Sequence, residues 1–168
     1  MESTYKAKMT SDSQEYETPD EIFIPLTKEF HFQLDGCASP ENHKCHEYYS
    51  KLDDCFTKHW DRTTWVNPEF YTVRKFVKKG FEDSRDFNST IVMLVLVKSN
   101  TNWWRDYVMK SKEVRFINQK VQFKNTAQGL RFPACIVVFA PHKGDTKWSV
   151  FEQSTQPSHS NVIGEKND

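Results

Sequence analysis

The sequence predicts an α/β fold, a single sheet with helices on both faces. Three observations carry this. Two continuous apolar runs, Ile91–Val97 and Ala134–Ala140, have the composition of strands buried on both sides. Segments with helical spacing of apolar residues alternate with these and shorter strand-like runs along the chain. Finally, 168 residues that are 37% hydrophobic and 14% aromatic supply enough large apolar surface for one folded core, which excludes wholesale disorder.

Residues 1–15 are polar and read as a flexible leader. A helix opens at Thr18-Pro19. Thr18 suits the cap, Pro19 the first helical position, and Asp20 and Glu21 the positive end of the helix dipole. Ile22, Phe23, Leu26 and Phe30 then recur at helical spacing. His31–Asp35 alternates as a short strand that ends in Gly36, and residues 39–64 are polar and irregular, anchored by Tyr48, Tyr49, Phe56 and Trp60. Thr63–Val66 is β-prone and stops at Asn67-Pro68. Tyr71–Phe81 reads as a helix with Val73, Phe76, Val77 and Phe81 on one side and Arg74, Lys75, Lys78 and Lys79 on the other. Asn102–Met109 reads as another, with one ring of Trp103-Trp104 in the core and one at its edge. Glu113–Asn118 and Lys120–Lys124 are short strand candidates bent at Gln119, and Phe116, Phe123 and Phe139 are expected in the core. Beyond Trp148 the composition turns to Ser, Gln, Asn and Gly. Residues 151–168 read as a disordered tail, which leaves 16–150 as the folded domain. There is no internal repeat.

Charge and cysteines narrow the function. The 23 Lys+Arg balance 23 Asp+Glu, so a uniformly basic coat is absent. The distribution is uneven: residues 11–35 hold seven acids and one base, and residues 98–131 hold eight bases and two acids. Such a local positive surplus can face a polyanion. A mean hydropathy of -0.75 and a longest aliphatic run of seven residues argue against a transmembrane helix. The first residues lack an apolar stretch, so no signal peptide is expected. Cys37, Cys45, Cys55 and Cys135 are therefore expected as reduced thiols. Cys45-His46 and Cys55-x3-His59 offer zinc ligands, but no CxxC pair is present and the spacing fits no closed module. A metal is not expected, and a zinc-dependent DNA-binding module is the least favoured reading.

In open α/β sheets ligands bind beyond the carboxyl ends of the strands. Two motifs fall there, Leu34-Asp35-Gly36-Cys37-Ala38 and Asn67-Pro68-Glu69-Phe70. In the first, small residues let the backbone approach a ligand while a carboxylate accepts its donors. The second has a specific chemical reading. The exocyclic amine of a nucleobase is a poor nucleophile, because its lone pair is delocalised into the ring. An Asn side-chain oxygen and the Pro main-chain carbonyl can accept hydrogen bonds from that amine, draw it toward tetrahedral geometry and aim its lone pair at an electrophilic methyl. Phe70 would stack on the extruded base. The plainer alternative is a turn whose Phe enters the core.

The wider pattern is more specific. Tyr16-Glu17-Thr18-Pro19, then Phe32 through Ala38, Asn42-His43-Lys44-Cys45, Tyr48-Tyr49, Asp53-Asp54, Trp60 and Val66 through Phe70 follow in order. Trp103 or Trp104, Tyr107-Val108, Val114 through Ile117, Phe123, Phe132-Pro133-Ala134 and Phe139-Ala140-Pro141 continue the series. Over residues 16–141 this resembles the phage-type DNA N6-adenine methyltransferase family. The resemblance implies a trimmed Rossmann-like methyltransferase sheet, S-adenosyl-L-methionine as methyl donor, adenine N6 in DNA as acceptor, and an intracellular setting. It implies that Thr18 and Pro19 line the donor pocket and that Asp35, Gly36, Cys37 and Ala38 form the first donor-binding motif. Asp53 or Asp54 would hold the donor's ribose or adenine, and Asn67, Pro68, Glu69 and Phe70 would be the catalytic motif. Arg74, Lys98, Arg105, Arg115, Lys120, Lys124 and Arg131 are expected to meet DNA, with 120–131 as a small target-recognition loop. Three features depart from the family pattern: Glu69 replaces a second proline, Gly36 is the single glycine of the first motif, and the step from Asp35 to Asn67 is short. The alternatives are an inactive protein of the same fold that binds DNA or the donor, or transfer to cytosine N4, RNA adenine or a glutamine amide. Monomer and homodimer are both compatible with the sequence, and so small a domain is expected to read only a short DNA site.

Overall fold

The computed structural model describes residues 16–124 and 132–153. In chain order these form α1 (Asp20–Phe30), β1 (Leu34–Asp35), β2 (Glu47–Tyr48), a 3-10 turn (Lys51–Asp53) and β3 (Thr64–Val66). There follow α2 (Val73–Asp86), β4 (Ile91–Leu96), α3 (Asn102–Asp106), a second 3-10 turn (Val108–Lys110), β5 (Glu113–Ile117), β6 (Ala134–Phe139) and β7 (Lys147–Phe151). The strands make one sheet in the order β2-β1-β3-β4-β6-β5-β7. β6 runs antiparallel to both its neighbours, and the other pairs are parallel. This is a Rossmann-like α/β architecture, as the sequence predicts.

Side-chain alternation along β4 shows why its run is apolar throughout. Ile91, Met93 and Val95 point into a core shared with Phe76 and Val77 of α2 and with Trp103 and Trp104 of α3. Val92, Leu94 and Leu96 point the other way, into a core shared with Ile22 and Leu26 of α1. Helices therefore cover both faces, and neither side of the strand meets water.

Several boundaries differ from the sequence reading. Pro19, not Thr18, occupies the α1 cap position, and no side chain caps the helix. The strand before Gly36 shrinks to Leu34–Asp35, because His31 takes a left-handed conformation (φ 54°) that reverses the chain after α1. α2 runs on to Asp86; its polar last turns look like surface in sequence, but Asp83 is buried and accepts a hydrogen bond from the Trp60 backbone N–H at 3.0 Å. α3 stops at Asp106, and the 3-10 turn takes over. Trp103 and Trp104 are both buried, so neither ring sits at an edge. Lys120–Lys124 is not a strand. Val121 and Phe123 are buried between exposed neighbours, which mimics strand alternation, yet the segment joins no ladder. It is held instead by the Lys124 backbone N–H on the Glu17 carbonyl and by Phe123 against Tyr16. Phe116 is half-buried: it packs against the edge of the core and stacks on Trp148.

Two strands were not legible. β2 has only two residues. β7 lies at the sheet edge, and only Phe151, which the sequence places in the tail, is buried. Residues 1–15, 125–131 and 154–168, which include the leader, Arg131 and the rest of the tail, lie outside the described residues. Among the described residues, no helix is long and apolar enough to cross a membrane.

Candidate active site

Parallel pairing of β1 with β3 brings the two sequence motifs together. Leu34 and Asp35 register with Thr64 and Trp65, and the Gly36 N–H bonds the Trp65 carbonyl at 2.8 Å. Past these strand ends lies a cavity of about 300 Å³. Its wall includes Thr18, Asp35, Cys37, Ala38, Asn67, Pro68 and Glu69.

Asn67 is held from the far end of the domain. Its Nδ2 donates to the Tyr16 carbonyl at 2.7 Å and to the Thr18 hydroxyl at 3.1 Å. A carbonyl oxygen can only accept, so the atom facing it must be the amide nitrogen. Both amide hydrogens are thus spent, and among the described residues no donor is placed on Oδ1. The Thr18 hydroxyl serves the site in this way and does not cap α1.

Asp35 is buried, and its two oxygens accept the backbone N–H groups of Cys37 (3.3 Å) and Lys44 (2.9 Å). The carboxylate therefore ties together the loop that forms the cavity floor. Burial pushes its pKa up to about 6, against the lowering effect of these two bonds. A carboxyl whose pKa is higher folded than unfolded favours the folded state when protonated. That contribution is full below 3.8 and is lost as pH rises through about 6. Wild type should therefore lose stability relative to Asp35→Asn across that interval and run parallel to it above, as read by urea denaturation at a series of pH values.

Gly36 is not on the cavity wall, and its lack of a side chain makes room for packing. A Cβ there would lie 2.9 Å from Cε2 of the Trp60 ring and 3.1 Å from Cγ2 of Thr64. Cys37 and Cys55 both line the cavity. Burial first, then neighbouring charge, raises the Cys37 thiol to about 12, so it stays neutral; the Glu69 backbone N–H bonds its sulfur. The two adjacent aspartates separate cleanly. Asp53 closes a capping box with Ser50 (2.7 Å to the backbone N, 2.8 Å to Oγ) and is not on the cavity wall. Asp54, in a left-handed conformation (φ 45°), is on it. Pro19 is buried off the wall, and Phe70 packs its ring on Tyr16 (centroids 5.3 Å) rather than lining the cavity.

The site also brings in residues that have no assigned role in the sequence reading. Glu17 lines the wall beside Lys44, 3.2 Å away, and Lys124 reaches the same oxygen at 3.3 Å. Burial works against the Glu17 charge, but the two lysines outweigh it and hold the carboxyl below its usual value. Among the described residues of the wall, the acids Glu17, Asp35, Asp54 and Glu69 outnumber the one base, Lys44, and Lys124 reaches Glu17 from off the wall, so the wall is acidic.

The basic residues fare unevenly. Arg74 and Lys120 are exposed, and Arg105 is exposed beside Asp106 at 2.8 Å. Lys98 lies over the Phe132 ring, 4.5 Å from its centre. Lys124 is half-exposed but bound to Asp20 at 2.9 Å as well as to Glu17. Arg115 is spent on Glu29 (bonds of 2.7 and 2.6 Å) and on Glu113 (2.9 Å), which raise its pKa further and leave it little access to phosphate. Among the described residues, the Cys and His side chains do not gather into a metal-binding group.

A family model described as DNA N-6-adenine-methyltransferase (Dam) matches residues 6–155. The DNA N-6-adenine-methyltransferase of Haemophilus phage HP1 (strain HP1c1) is 30% identical over 140 residues, 78% of this chain and 81% of that protein. The DNA N-6-adenine-methyltransferase of Escherichia phage T1 is 30% identical over 118 residues, 67% of this chain and 49% of that longer protein.

Proposed function

The chain belongs to the DNA N-6-adenine-methyltransferase (Dam) family, and on that premise we propose that it transfers a methyl group from S-adenosylmethionine to the N6 amine of adenine in DNA. The orientation of Asn67 carries this reading. With Nδ2 committed to Tyr16 and Thr18, the side chain presents an acceptor, not a donor, to an incoming amine. Oδ1 of Asn67 and the Pro68 carbonyl accept the two N–H groups of the adenine amine. That removes lone-pair density from the ring and turns the nitrogen into a nucleophile. No strong base is required, because the N6 cation that forms releases its proton readily. Phe70 is half-buried, and its contact with Tyr16 steadies the same wall.

The cavity fits the donor's chemistry. Its acidic wall suits a ligand with a sulfonium and an ammonium group, and Asp54 at the rim can accept ribose hydroxyls or an amino group. When bound, S-adenosylmethionine supplies an electrophilic methyl on sulfur. The chain's own contribution is positional: Asp35 fixes the floor, Asn67 and Pro68 fix the amine, and effective molarity does the rest. Arg74, Lys98, Arg105 and Lys120 are the candidates for phosphate contact.

Labelled donor incubated with unmethylated duplex and single-stranded DNA, followed by nucleoside mass spectrometry, tests the proposal. N6-methyladenine is the expected product. Methylcytosine, or no product at all, would overturn it in favour of another acceptor or a binding role. Glu69→Pro gives a sharper check. A proline at 69 lacks the N–H that bonds the Cys37 sulfur. Transfer should fall by roughly 2- to 10-fold, equivalent to one hydrogen bond of about 0.5–1.5 kcal/mol. A gain would instead mean that the Glu69 carboxylate restrains the site.

A further inference from the structure

Leu52 is 98% exposed, the most exposed of the large hydrophobic residues described. It stands at the tip of the first 3-10 turn, and that turn is stiff. Ser50 and Asp53 cap it reciprocally, the Leu52 N–H bonds Ser50 Oγ at 3.3 Å, and Thr57 holds the Asp54 carbonyl through its hydroxyl at 2.9 Å. The residues on either side of the tip, Ser50 and Asp54, are on the wall of the cavity that also contains Asn67 and Pro68. A rigid turn thus holds an unpacked leucine, itself off the wall, between two residues that line the cavity, and burial within the chain does not account for it. Phe56, 40% exposed and also on the wall, adds apolar surface at the same rim, with the Lys75 ammonium 5.9 Å from its ring centre.

An adenine in a duplex is stacked and paired, and its N6 cannot reach a cavity wall until the base is extruded. Extrusion leaves a gap whose closure draws the base back. Apolar side chains inserted between base steps are one way proteins hold such a gap open. Building on the proposed function, we propose that Leu52 is the wedge that enters the base stack and fills the space vacated by the target adenine. It is a positioning residue, which acts on the DNA and not on the reacting atoms. The Asp53 carboxylate beside it stays ionised but is tied back onto the Ser50 backbone N–H and hydroxyl.

The test compares methyl transfer to duplex and to single-stranded DNA by wild type, Leu52→Ala and Leu52→Met. So exposed a side chain can be truncated with little effect on stability, and thermal melts of the three proteins should coincide. With Leu52→Ala, transfer to duplex should drop about 10-fold or more while transfer to single strands stays within about 2-fold, because extrusion costs a few kcal/mol only where the base is paired and stacked. Leu52→Met should restore most of the duplex activity. An unchanged duplex rate, equal losses on both DNAs, or a wild type that acts on single strands alone would each overturn the wedge. Absence of transfer by wild type to either DNA would overturn the methyltransferase reading itself and the wedge with it.

Discussion

Asn67→Ala should lower transfer of methyl groups to adenine by about 10²-fold or more, with the fold intact. The magnitude follows from what is lost: one of two preorganised acceptors on the amine, in a reaction whose acceleration is mainly positional. Stability should change little by comparison. The Tyr16 carbonyl and Thr18 hydroxyl lose a shared donor, but Asn67 is only half-buried and solvent can replace the amide. Single-turnover transfer with labelled donor, beside a urea melt, separates the two effects. Asn67→Asp is the instructive companion. A carboxylate cannot donate to Tyr16, so the same oxygen would be present but untethered, and activity should fall well below wild type. Equal activity in wild type and Asn67→Ala would remove Asn67 from the mechanism.

Trp60→Ala should cost about 3–5 kcal/mol, the range for a fully buried aromatic truncated to a methyl. Domains of this kind have roughly 5–15 kcal/mol in all, so the variant would be marginal at best. Trp60 is 0% exposed and fills the space that Gly36 leaves open beneath the first motif. Its ring lies near Phe76 (6.2 Å) and under the Lys79 ammonium (5.0 Å), its backbone N–H bonds Asp83, and its carbonyl accepts from Ser89 Oγ. Removing the ring undermines the floor of the site and the seat of α2 together. Trp60→Phe should cost much less. It keeps an aromatic ring and deletes Nε1, which is buried with no hydrogen-bond partner among the described residues, a defect worth about 1–3 kcal/mol. Denaturation midpoints of the two variants check the ordering; a Trp60→Phe loss as large as that of Trp60→Ala would contradict it.

Legibility in the sequence followed burial. β4 and β6 could be read because both faces of each strand are covered, and every residue must then be apolar. β7 could not, because at an edge only Phe151 needs burial and Lys147 and Ser149 are free to be polar. Lys120–Lys124 shows the reverse error: alternation reports burial of every second residue, and a loop anchored by Val121 and Phe123 satisfies that as well as a strand does. At the site, four residues of sequence were enough to single out Asn67-Pro68, which lies on the cavity wall. The groups that orient it, 51 and 49 positions away, could not be singled out, because only the sheet brings them together. Counting charges named Arg115 as a DNA contact but could not see Glu29, 86 positions away, already occupying it. Asp53 and Asp54 are adjacent and chemically alike, and only the capping box decides which of them faces the cavity.

The place of β6 in the sheet has a consequence for how the chain folds. β5 pairs only with β6 and β7, both of which follow it in sequence. When β5 leaves the ribosome it has no edge to join, since its route to β4 is through a strand not yet made. The half of the sheet carrying Asp35 and Asn67 can assemble early from β1 to β4, in the order of synthesis. The other half must wait and then form by insertion, with loop closure paid before any pairing is gained. Until then β4 offers an apolar, unpaired edge, the feature of an incomplete chain most prone to self-association. Folding of this domain should therefore be limited by delivery of Ala134–Phe139, and its yield should depend on how soon that strand arrives.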